Sequence, residues 1–446
     1  MKQKFGVATA HALVIGSIVG TGVFTSLGFQ LLEFDTGFVL MLLWVLGGLC
    51  AFCGSVCYCE LSARLPRSGG EYNFLTGAFH PAIGFVAGWL SFTIGFAAPA
   101  ALVAMTFGAY LEAGLPWVDP QYASIALVVI VTAVHAHSHR ASGGLQTSFT
   151  FVKVGFILLV CIAAWLLVHE FQPVSFVPMA ADIGFIVSGG FAVSLIYVNY
   201  AYAGWNAMTY VSEELEQPTQ TINRALMLGV GTVVVLYLVL NATFLLVAPI
   251  DAMRGEVEVG YIVARHAFGE QGAWLISIAL AVLLISTLSA FILAGPRVLS
   301  RIGSDYPVLG WLAKTNARSV PAIAVAMQST LTLVFLLTGT FETILIFAGL
   351  ILGISSFATV CAACWLRYRL GPPVDYQMPL YPLPAVVFLS VMGWTIIYAT
   401  AERVIEGLLS IAMIALGFML YAATRLMNAK RRQIAQALQR ILPPRV

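Results

Sequence analysis

The first apolar run of the chain contains the stretch GSIVGTGVF, residues 16–24. Three glycines, a serine and a threonine stand where a membrane helix usually carries leucine. Non-helical backbone in hydrocarbon leaves N–H and C=O groups unpaired, at a cost of several kcal/mol each, unless protein or a cavity covers them. Glycine permits such a break and lets a ligand approach the backbone closely. The stretch therefore predicts two half-helices, the second of which offers an anion site at its N-terminus. The alternative is close helix packing through the GxxxG face of Gly16 and Gly20.

The composition assigns the chain to the membrane proteins. Of its 446 residues, 60% are hydrophobic and only 9% are charged, whereas a soluble domain averages about 25% charged residues. Apolar runs of about 20 residues, the length that crosses a bilayer, recur from end to end. Because these runs are continuous and do not alternate, they predict an all-α polytopic membrane protein and exclude a barrel. The first run lacks a clear cleavage site, and we interpret it as a retained span, not a signal peptide.

The apolar runs predict twelve transmembrane helices. They cover residues 8–30, 37–63, 82–112, 121–138, 145–169, 182–212, 223–248, 271–296, 322–338, 342–366, 383–401 and 404–424. With this count, most Lys and Arg residues between spans fall on the side of the N-terminus, as the positive-inside rule requires. The distribution predicts a multi-pass protein of the cell membrane with both termini in the cytoplasm. The basic tail from residue 425 is interpreted either as a helix on the anionic inner leaflet or as a frayed solvated segment.

A second interruption lies in the sixth span, where NYAYAGWNAMTY (residues 199–210) introduces Gly204 and Asn206. The first and sixth spans are corresponding members of two five-helix halves. Interrupted segments at equivalent positions indicate an inverted-repeat secondary transporter with its site at the midplane. N–H groups near residues 17–22 would bind a carboxylate. Carbonyl groups near Gly16 and residues 200–203 would bind an ammonium, so the two breaks together fit a zwitterion.

Lys153 places a charge within the fifth span. Such a charge costs about 2.5–3.5 kcal/mol at the centre of a helix even on the lenient insertion scale. One interpretation is that the side chain extends to the cytoplasmic interface. The other is that it reaches polar neighbours, for which the candidates are the opened carbonyls of the first span and, in the eighth span, Ser286, Thr287 and Ser289. An ammonium there would occupy the place of a coupling cation, make sodium unnecessary and serve as a titrating group in proton coupling.

Four motifs in order resemble the amino acid–polyamine–organocation (APC) superfamily, close to bacterial amino acid permeases and L-type transporter light chains. They are GSIVGTGVF (16–24), YCELSARLPRSGGEYNFL (58–75), SGGLQTSFTFVKVG (142–155) and YAYAGWNAMTYVSEELEQPTQTINRAL (200–226). The resemblance covers nearly the whole chain. It implies a LeuT-type fold, in which residues 8–169 and 182–366 form two inverted repeats. The helices of residues 383–424 and a basic cytoplasmic tail (425–446) complete a single transporter domain of residues 1–446.

The resemblance also assigns roles to individual residues. The glycine-rich backbone would bind the α-carboxylate of an amino acid, through Gly16, Ser17, Ile18, Gly20, Thr21 and Gly22. The sixth span would bind the α-amino group or close over it, through Tyr200, Ala201, Tyr202, Ala203, Gly204 and Trp205. Lys153 matches the lysine that replaces sodium in cation-independent members. Charged residues near the cytoplasmic ends of the spans match motifs for structure and gating, namely Glu60, Arg64, Arg67, Glu213 and Glu214.

Other functions have less support in the sequence. An intramembrane enzyme would need a nucleophile with its base, or metal ligands, and neither GxSxG nor HExxH occurs. A channel would show a filter-like ring, and nucleic-acid binding would show a basic patch. Seven cysteines in apolar runs and three histidines (His135, His137, His139) favour packing and an interfacial position over a metal site. We therefore expect no enzyme activity and no cofactor.

The substrate and the partners are predicted more coarsely. Because no unpaired carboxylate stands deep in a span, neutral amino acids are the expected substrates. The loop EAGLPWVDPQ (112–121) lacks the cysteine by which animal light chains join a glycoprotein, so no disulfide-linked heavy chain is expected. Membrane lipids are the other expected partners, and the sequence leaves the oligomeric state open. Proton-coupled uptake, exchange, export and a non-transporting amino acid sensor remain alternatives.

Overall fold

The computed structural model describes residues 6–137, 143–210, 212–316 and 320–441, and this part of the chain is mostly helical. His139 and the side chains of Glu214 and of the tail from residue 430 lie outside the described part. The helices, in chain order, are α1 (Val7–Ile18), α2 (Gly22–Gln30), α3 (Gly37–Arg64), α4 (Glu71–Ala78), α5 (Pro81–Leu90), α6 (Ala97–Gly114), α7 (Pro120–His137), α8 (Gly143–Leu167), α9 (Asp182–Ile186), α10 (Gly189–Tyr202), α11 (Pro218–Val247), α12 (Ile250–Met253), α13 (Val259–Asp305), α14 (Ala322–Thr338), α15 (Phe341–Leu370), α16 (Leu383–Glu402) and α17 (Val404–Ile441).

Ten helical segments in the described residues are long and apolar enough to cross a membrane, counting α1 with α2 and α5 with α6 as one segment each. The shorter apolar helix α14 accompanies them. These segments confirm the prediction of a polytopic helical membrane protein. The ten segments coincide with predicted spans. The predicted sixth span is divided into helices that are each too short to cross a membrane.

Both stretches that predict a helix break do interrupt their helices. The first run stops at Ile18 and resumes at Gly22. The sixth run ends α10 at Tyr202, passes through an extended Ala203 and continues as a 3-10 helix over Trp205–Tyr210. Gly204 has a φ of +102°, a conformation that L side chains rarely adopt. The helix therefore breaks where glycine makes an unusual backbone angle inexpensive.

Three helices differ from the predicted spans. The third predicted span (82–112) contains a π-helical turn over Ser91–Phe96, which separates α5 from α6. In the eighth span, α13 is interrupted by the non-helical backbone of Gly269, beside the predicted start at residue 271, and it continues to Asp305, beyond the predicted end at residue 296. The last, α17, continues without a break to Ile441, so no helix end separates the predicted span from the basic tail. The predicted spans end where the apolar run gives way to charged residues. A helix can continue past that point, because polar residues also form helices outside the membrane.

The broken helices lie at the centre of the bundle. The most apolar stretch of the α1–α2 segment has 83% of its residues buried, whereas that of α17 has 22% buried. α1 packs against α8 and α11, and α10 packs against α2, α3, α15 and α16. The peripheral helices leave large apolar side chains exposed, as a lipid environment requires. Protein therefore surrounds the non-helical backbone at residues 19–21 and 203–204, which is the condition under which a membrane protein tolerates it.

Candidate functional site

A cavity of about 140 Å³ lies between the two helix breaks. Its wall includes all the residues assigned to substrate binding from the sequence, namely Gly16, Ser17, Ile18, Gly20, Thr21 and Gly22 from the first run and Tyr200, Ala201, Tyr202, Ala203, Gly204 and Trp205 from the sixth. The structure thus brings the two predicted groups to one place. Their roles in binding stay a prediction.

The break in the first run leaves backbone groups of both signs unpaired. The amide of Gly20 donates to the carbonyl of Ile18 (2.8 Å) and that of Phe24 to the carbonyl of Thr21 (2.9 Å). Among the described residues, nothing accepts from the amides of Thr21 and Gly22, and nothing donates to the carbonyls of Gly16 and Ser17. The amides stand at the positive N-terminal end of α2 and the carbonyls at the negative C-terminal end of α1. One break therefore offers donors and acceptors to the same cavity.

The two breaks pack backbone against backbone. A Cβ added at Gly22 would lie 2.5 Å from Cα of Ala201, and one added at Gly204 would collide with the carbonyl of Ser17. Neither glycine tolerates a side chain without a shift of the backbone. The sequence suggests that these glycines serve to break the helices. The structure shows that the close approach of the two runs also requires glycine at both positions.

Tyr237 of α11 joins the two breaks and was not singled out from the sequence. Its hydroxyl lies 2.8 Å from the carbonyl oxygen of Ile18 and 3.1 Å from that of Ala201, and can donate to either. The ring is fully buried against Trp44 and Tyr202. A single tyrosine in an apolar run gives no periodic signal, because only the tertiary structure shows that it reaches two carbonyls freed from helices.

Lys153 points into the protein. Its side chain is buried, and its Nζ donates to Oγ1 of Thr287 at 2.7 Å. This burial contradicts the alternative in which the ammonium extends to the interface. Thr287 also lines the main cavity, so the lysine lies one residue behind the wall. The other two candidate neighbours bond elsewhere, since Ser286 donates to the carbonyl of Leu283 and Ser289 Oγ lies 2.7 Å from Nε2 of His135.

One group of polar side chains in the cavity wall surrounds a carboxylate, namely Ser91, Asn206, Tyr210 and Ser356. Directly behind them lies the carboxylate of Glu71, which is 1% exposed. Burial raises the pKa of this carboxyl group. Sequence reasoning missed Glu71 as a site residue because α4 belongs to the segment between two predicted spans. Its place in the GGEYNFL motif was the available signal.

The other charged motif residues lie away from the cavity. Glu60 pairs with Arg367 at 2.5 Å, Arg67 with Asp305 at 2.7 Å, and Arg301 with Glu213 at 3.4 Å. The three pairs tie α3 and the segments that follow α3 and α10 to α13 and α15. This placement fits the structural role that the resemblance implies for Glu60, Arg67 and Glu213.

The cysteines form no disulfide in the structure, and all seven are free thiols. Among the described residues, no three His, Cys, Asp or Glu side chains are grouped so that they could hold a metal ion. Cys50 lines the cavity. Four others are buried as small fillers of helix contacts, and Cys361 and Cys364 are half-buried.

Membrane-length helices arranged around two broken helices and a central cavity define the class, a polytopic helical membrane protein. A family model described as amino acid permease matches residues 5–423, and the chain belongs to that family. It is 25% identical to the large neutral amino acids transporter small subunit 2 of Oryctolagus cuniculus, over 92% of this chain and 78% of the relative. It is also 25% identical to the Asc-type amino acid transporter 1 of Mus musculus, over 90% of this chain and 77% of the relative. With the b(0,+)-type amino acid transporter 1 of Mus musculus it shares 23% identity over 94% of this chain and 88% of the relative.

Proposed function

We propose that this protein is a secondary active transporter that moves amino acids across the cell membrane by alternating access. The observation that carries the proposal is the cavity between two helix breaks, whose wall offers unpaired amides of Thr21 and Gly22 and unpaired carbonyls of Gly16 and Ser17. A zwitterion satisfies both kinds of group at once. The names of the relatives, all amino acid transporters, support the same conclusion.

The proposal includes a topology. We infer twelve spans with both termini in the cytoplasm, arranged as a LeuT-type five-plus-five inverted repeat over residues 8–169 and 182–366, with two further helices. The ten membrane-length segments, the apolar helix α14 and the interrupted sixth run support this count. Cysteine labelling of single-cysteine variants in sealed vesicles, at residue 117 and residue 375, would test the orientation. The proposal expects the first to be labelled from outside and the second from the cytoplasm.

The cavity favours neutral substrates. Among the described residues that line it, none is charged, and much of the wall is apolar, with Phe96, Phe291, Leu352, Phe388 and Met392. Its volume is close to the ~150 Å³ of an engineered apolar cavity that holds benzene. The carboxylate of Glu71 lies behind the wall and already accepts hydrogen bonds from neutral donors. A cationic side chain would therefore find no free anion.

We further propose that transport is sodium-independent and is either proton-coupled or an exchange. The ammonium of Lys153, held on Thr287 beside the first break, supports this part of the proposal. It places a positive charge near the position that a coupling cation would otherwise need. Uptake of radiolabelled amino acid into proteoliposomes with sodium or with choline outside should be equal. A sodium requirement would contradict the assignment of Lys153.

Two measurements test the function as a whole. Thermal stabilisation of the purified protein by each of the twenty amino acids identifies those that bind, since a ligand that prefers the folded state raises the melting temperature. Flux of the binding amino acids into proteoliposomes, with and without amino acid inside, separates uptake from exchange. Binding without flux in either direction would favour an amino acid sensor over a transporter.

A further inference from the structure

Glu71 occupies an unusual place for a carboxylate, since it is fully buried at the N-terminus of α4 beside the polar wall of the cavity. Its Oε1 accepts from the hydroxyl of Tyr58 at 2.6 Å and from Nδ2 of Asn206 at 3.0 Å. Ser355 donates to Oε2, and Ser356 lies 3.5 Å from Oε1. The carboxylate thus joins α3, α15 and the second half of the sixth run.

The neighbours of Glu71 are donors without charge. The titratable groups that face it are the phenols Tyr58, from α3, and Tyr210, from the sixth run. α15 contributes only the hydroxyls of Ser355 and Ser356. No cation in the described part of the chain forms an ion pair with Glu71. A buried anion without a counterion depends on its hydrogen bonds, and such charge-assisted bonds are about twice as strong as neutral ones.

The bond to Glu71 fixes the orientation of the Asn206 amide. A carboxylate accepts only, so the NH₂ group of Asn206 must face it. The amide oxygen then lies on the far side of the group, where no described residue donates to it. Asn206 is half-buried and lines the cavity. The arrangement therefore presents a hydrogen-bond acceptor to whatever occupies the cavity.

Backbone contacts hold the same segment in place. The amide of Gly70 donates to the carbonyl of Thr209 at 3.1 Å, and Thr209 Oγ1 donates to the carbonyl of Asn206 at 2.7 Å. Gly70 has a φ of +53°, and a Cβ there would lie 2.7 Å from the ring of Tyr210. The start of α4 is therefore seated directly on the segment that carries Asn206.

We propose that Glu71 is a positioning residue for substrate binding, which holds the Asn206 amide so that its oxygen accepts a hydrogen bond from the amino acid. The inference rests on the proposed function and names a residue of the same site that does not itself touch the cavity. Glu71 acts through Asn206, in contrast to the cytoplasmic ion pairs of Glu60 and Arg67, which bond to groups away from the cavity.

A double-mutant cycle tests the proposal. The variants are Glu71→Gln, Asn206→Ala and their combination. Binding of radiolabelled L-alanine, L-serine, L-leucine and L-phenylalanine to purified protein gives Kd for each. Loss of the charge in Glu71→Gln should weaken binding about fivefold to tenfold. Asn206→Ala should weaken it at least as much, and the double variant should equal Asn206→Ala, because the effect of Glu71 passes through Asn206.

Asp182→Asn is the matched control. Asp182 is equally buried, accepts a hydrogen bond from the amide of Met179 at 2.7 Å and does not line the cavity. This variant should lower the melting temperature while Kd stays within twofold of the wild type. An equal loss of affinity in Asp182→Asn and Glu71→Gln would mean that any buried carboxylate acts through overall stability, and would overturn the proposal.

The pH profile gives a readout that a purely structural role would not move. When Glu71 is protonated, it loses the negative charge that orients the Asn206 amide. Wild-type affinity should therefore fall as the pH drops through the raised pKa of this carboxyl group. The profile of Asn206→Ala should lack this acid-side loss, a comparison that remains possible if Glu71→Gln does not fold. The bond between Lys153 and Thr287 is unchanged by the Asn206→Ala substitution, so the comparison isolates the effect that passes through Asn206.

The outcomes distinguish a failure of the proposed function from a failure of the role proposed for Glu71. If the wild type binds none of the four amino acids, nor any of the other sixteen, the proposed function fails. If the wild type binds but Glu71→Gln stays within twofold, or if the effects of the two single variants multiply in the double variant, the role of Glu71 is refuted while the proposed function stands.

Discussion

Gly22→Ala should test the contact between the two broken helices. In the structure, a Cβ at residue 22 would lie 2.5 Å from Cα and 2.8 Å from Cβ of Ala201. Carbon atoms in contact are normally about 3.5–4.0 Å apart. The first and sixth runs would therefore have to separate by about 1 Å. The nearest atoms are Cα, Cβ and N of Ala201, and none of them can rotate aside.

The expected magnitude follows from that displacement. Overpacking of a well-packed site costs about 1–3 kcal/mol, which corresponds to about a fivefold to 150-fold change in an equilibrium constant. Amides at residues 21–22 and carbonyls at residues 16–17 line one cavity. A zwitterion that bridges them cannot follow both sides when they move apart. We expect amino acid affinity to fall by about tenfold to a hundredfold, with a lower melting temperature.

Gly20→Ala is the matched control in the same stretch. A Cβ at residue 20 would lie 3.5 Å from Cγ2 of Thr287, an ordinary contact, so affinity should remain within threefold of the wild type. Isothermal calorimetry or radioligand binding with the amino acid that best stabilises the wild type gives both values. If Gly22→Ala binds as tightly as Gly20→Ala and melts at the same temperature, the backbone contact does not shape the site and the reasoning is wrong.

Further predictions concern single groups in and around the cavity. Gly20→Leu should abolish binding while the protein still inserts into the membrane, because the longer side chain enters the cavity; retained affinity would mean that the stretch serves packing alone. Lys153→Met should lose transport while the melting temperature stays equal or rises, because a buried ammonium with one neutral partner is replaced by an apolar chain of similar size; a drop in stability without loss of flux would contradict this. Tyr237→Phe should lose about 1 kcal/mol of stability, since one hydroxyl bond to the carbonyls of Ile18 and Ala201 is removed, and an unchanged melting temperature would argue against that bond. Because burial raises the pKa of Glu71, its contribution to stability is present at acidic pH and is lost as the pH rises through that pKa; the melting temperature of the wild type relative to Glu71→Gln should therefore be higher at pH 5 than at pH 8, and the reverse order would refute the assignment.

Much of the site could be predicted because it consists of backbone. Glycine, serine and threonine within an apolar run predict where a helix opens, and an opened helix offers its own N–H and C=O groups whatever the neighbouring side chains are. Residues 16–22 and 200–204 were predicted on this basis, and Trp205 was added by the family resemblance. All of the named residues line the cavity. Lys153 was equally visible, because a charge in hydrocarbon is costly enough to need a reason.

Side-chain partners were less predictable. Thr287, Ser286 and Ser289 were equal candidates for Lys153, and the structure brings only Thr287 to it. Three residues on one helix point in different directions, and their distances from another helix depend on the rotation and crossing angle of both. Helix ends were also missed, as in α13 and α17, because a helix extends beyond the apolar stretch that predicts a span.

The sequence by itself determined the class of protein, the places where two helices break and the resemblance to the amino acid permease family. Each of these depends on local composition or on motifs, which act over a few residues of the chain. Only the tertiary structure decided that Tyr237 joins the two breaks and that the carboxylate of Glu71, more than a hundred positions away from Asn206, orients its amide. Such contacts arise from the packing of segments distant in sequence, and no single segment contains the information that fixes their geometry.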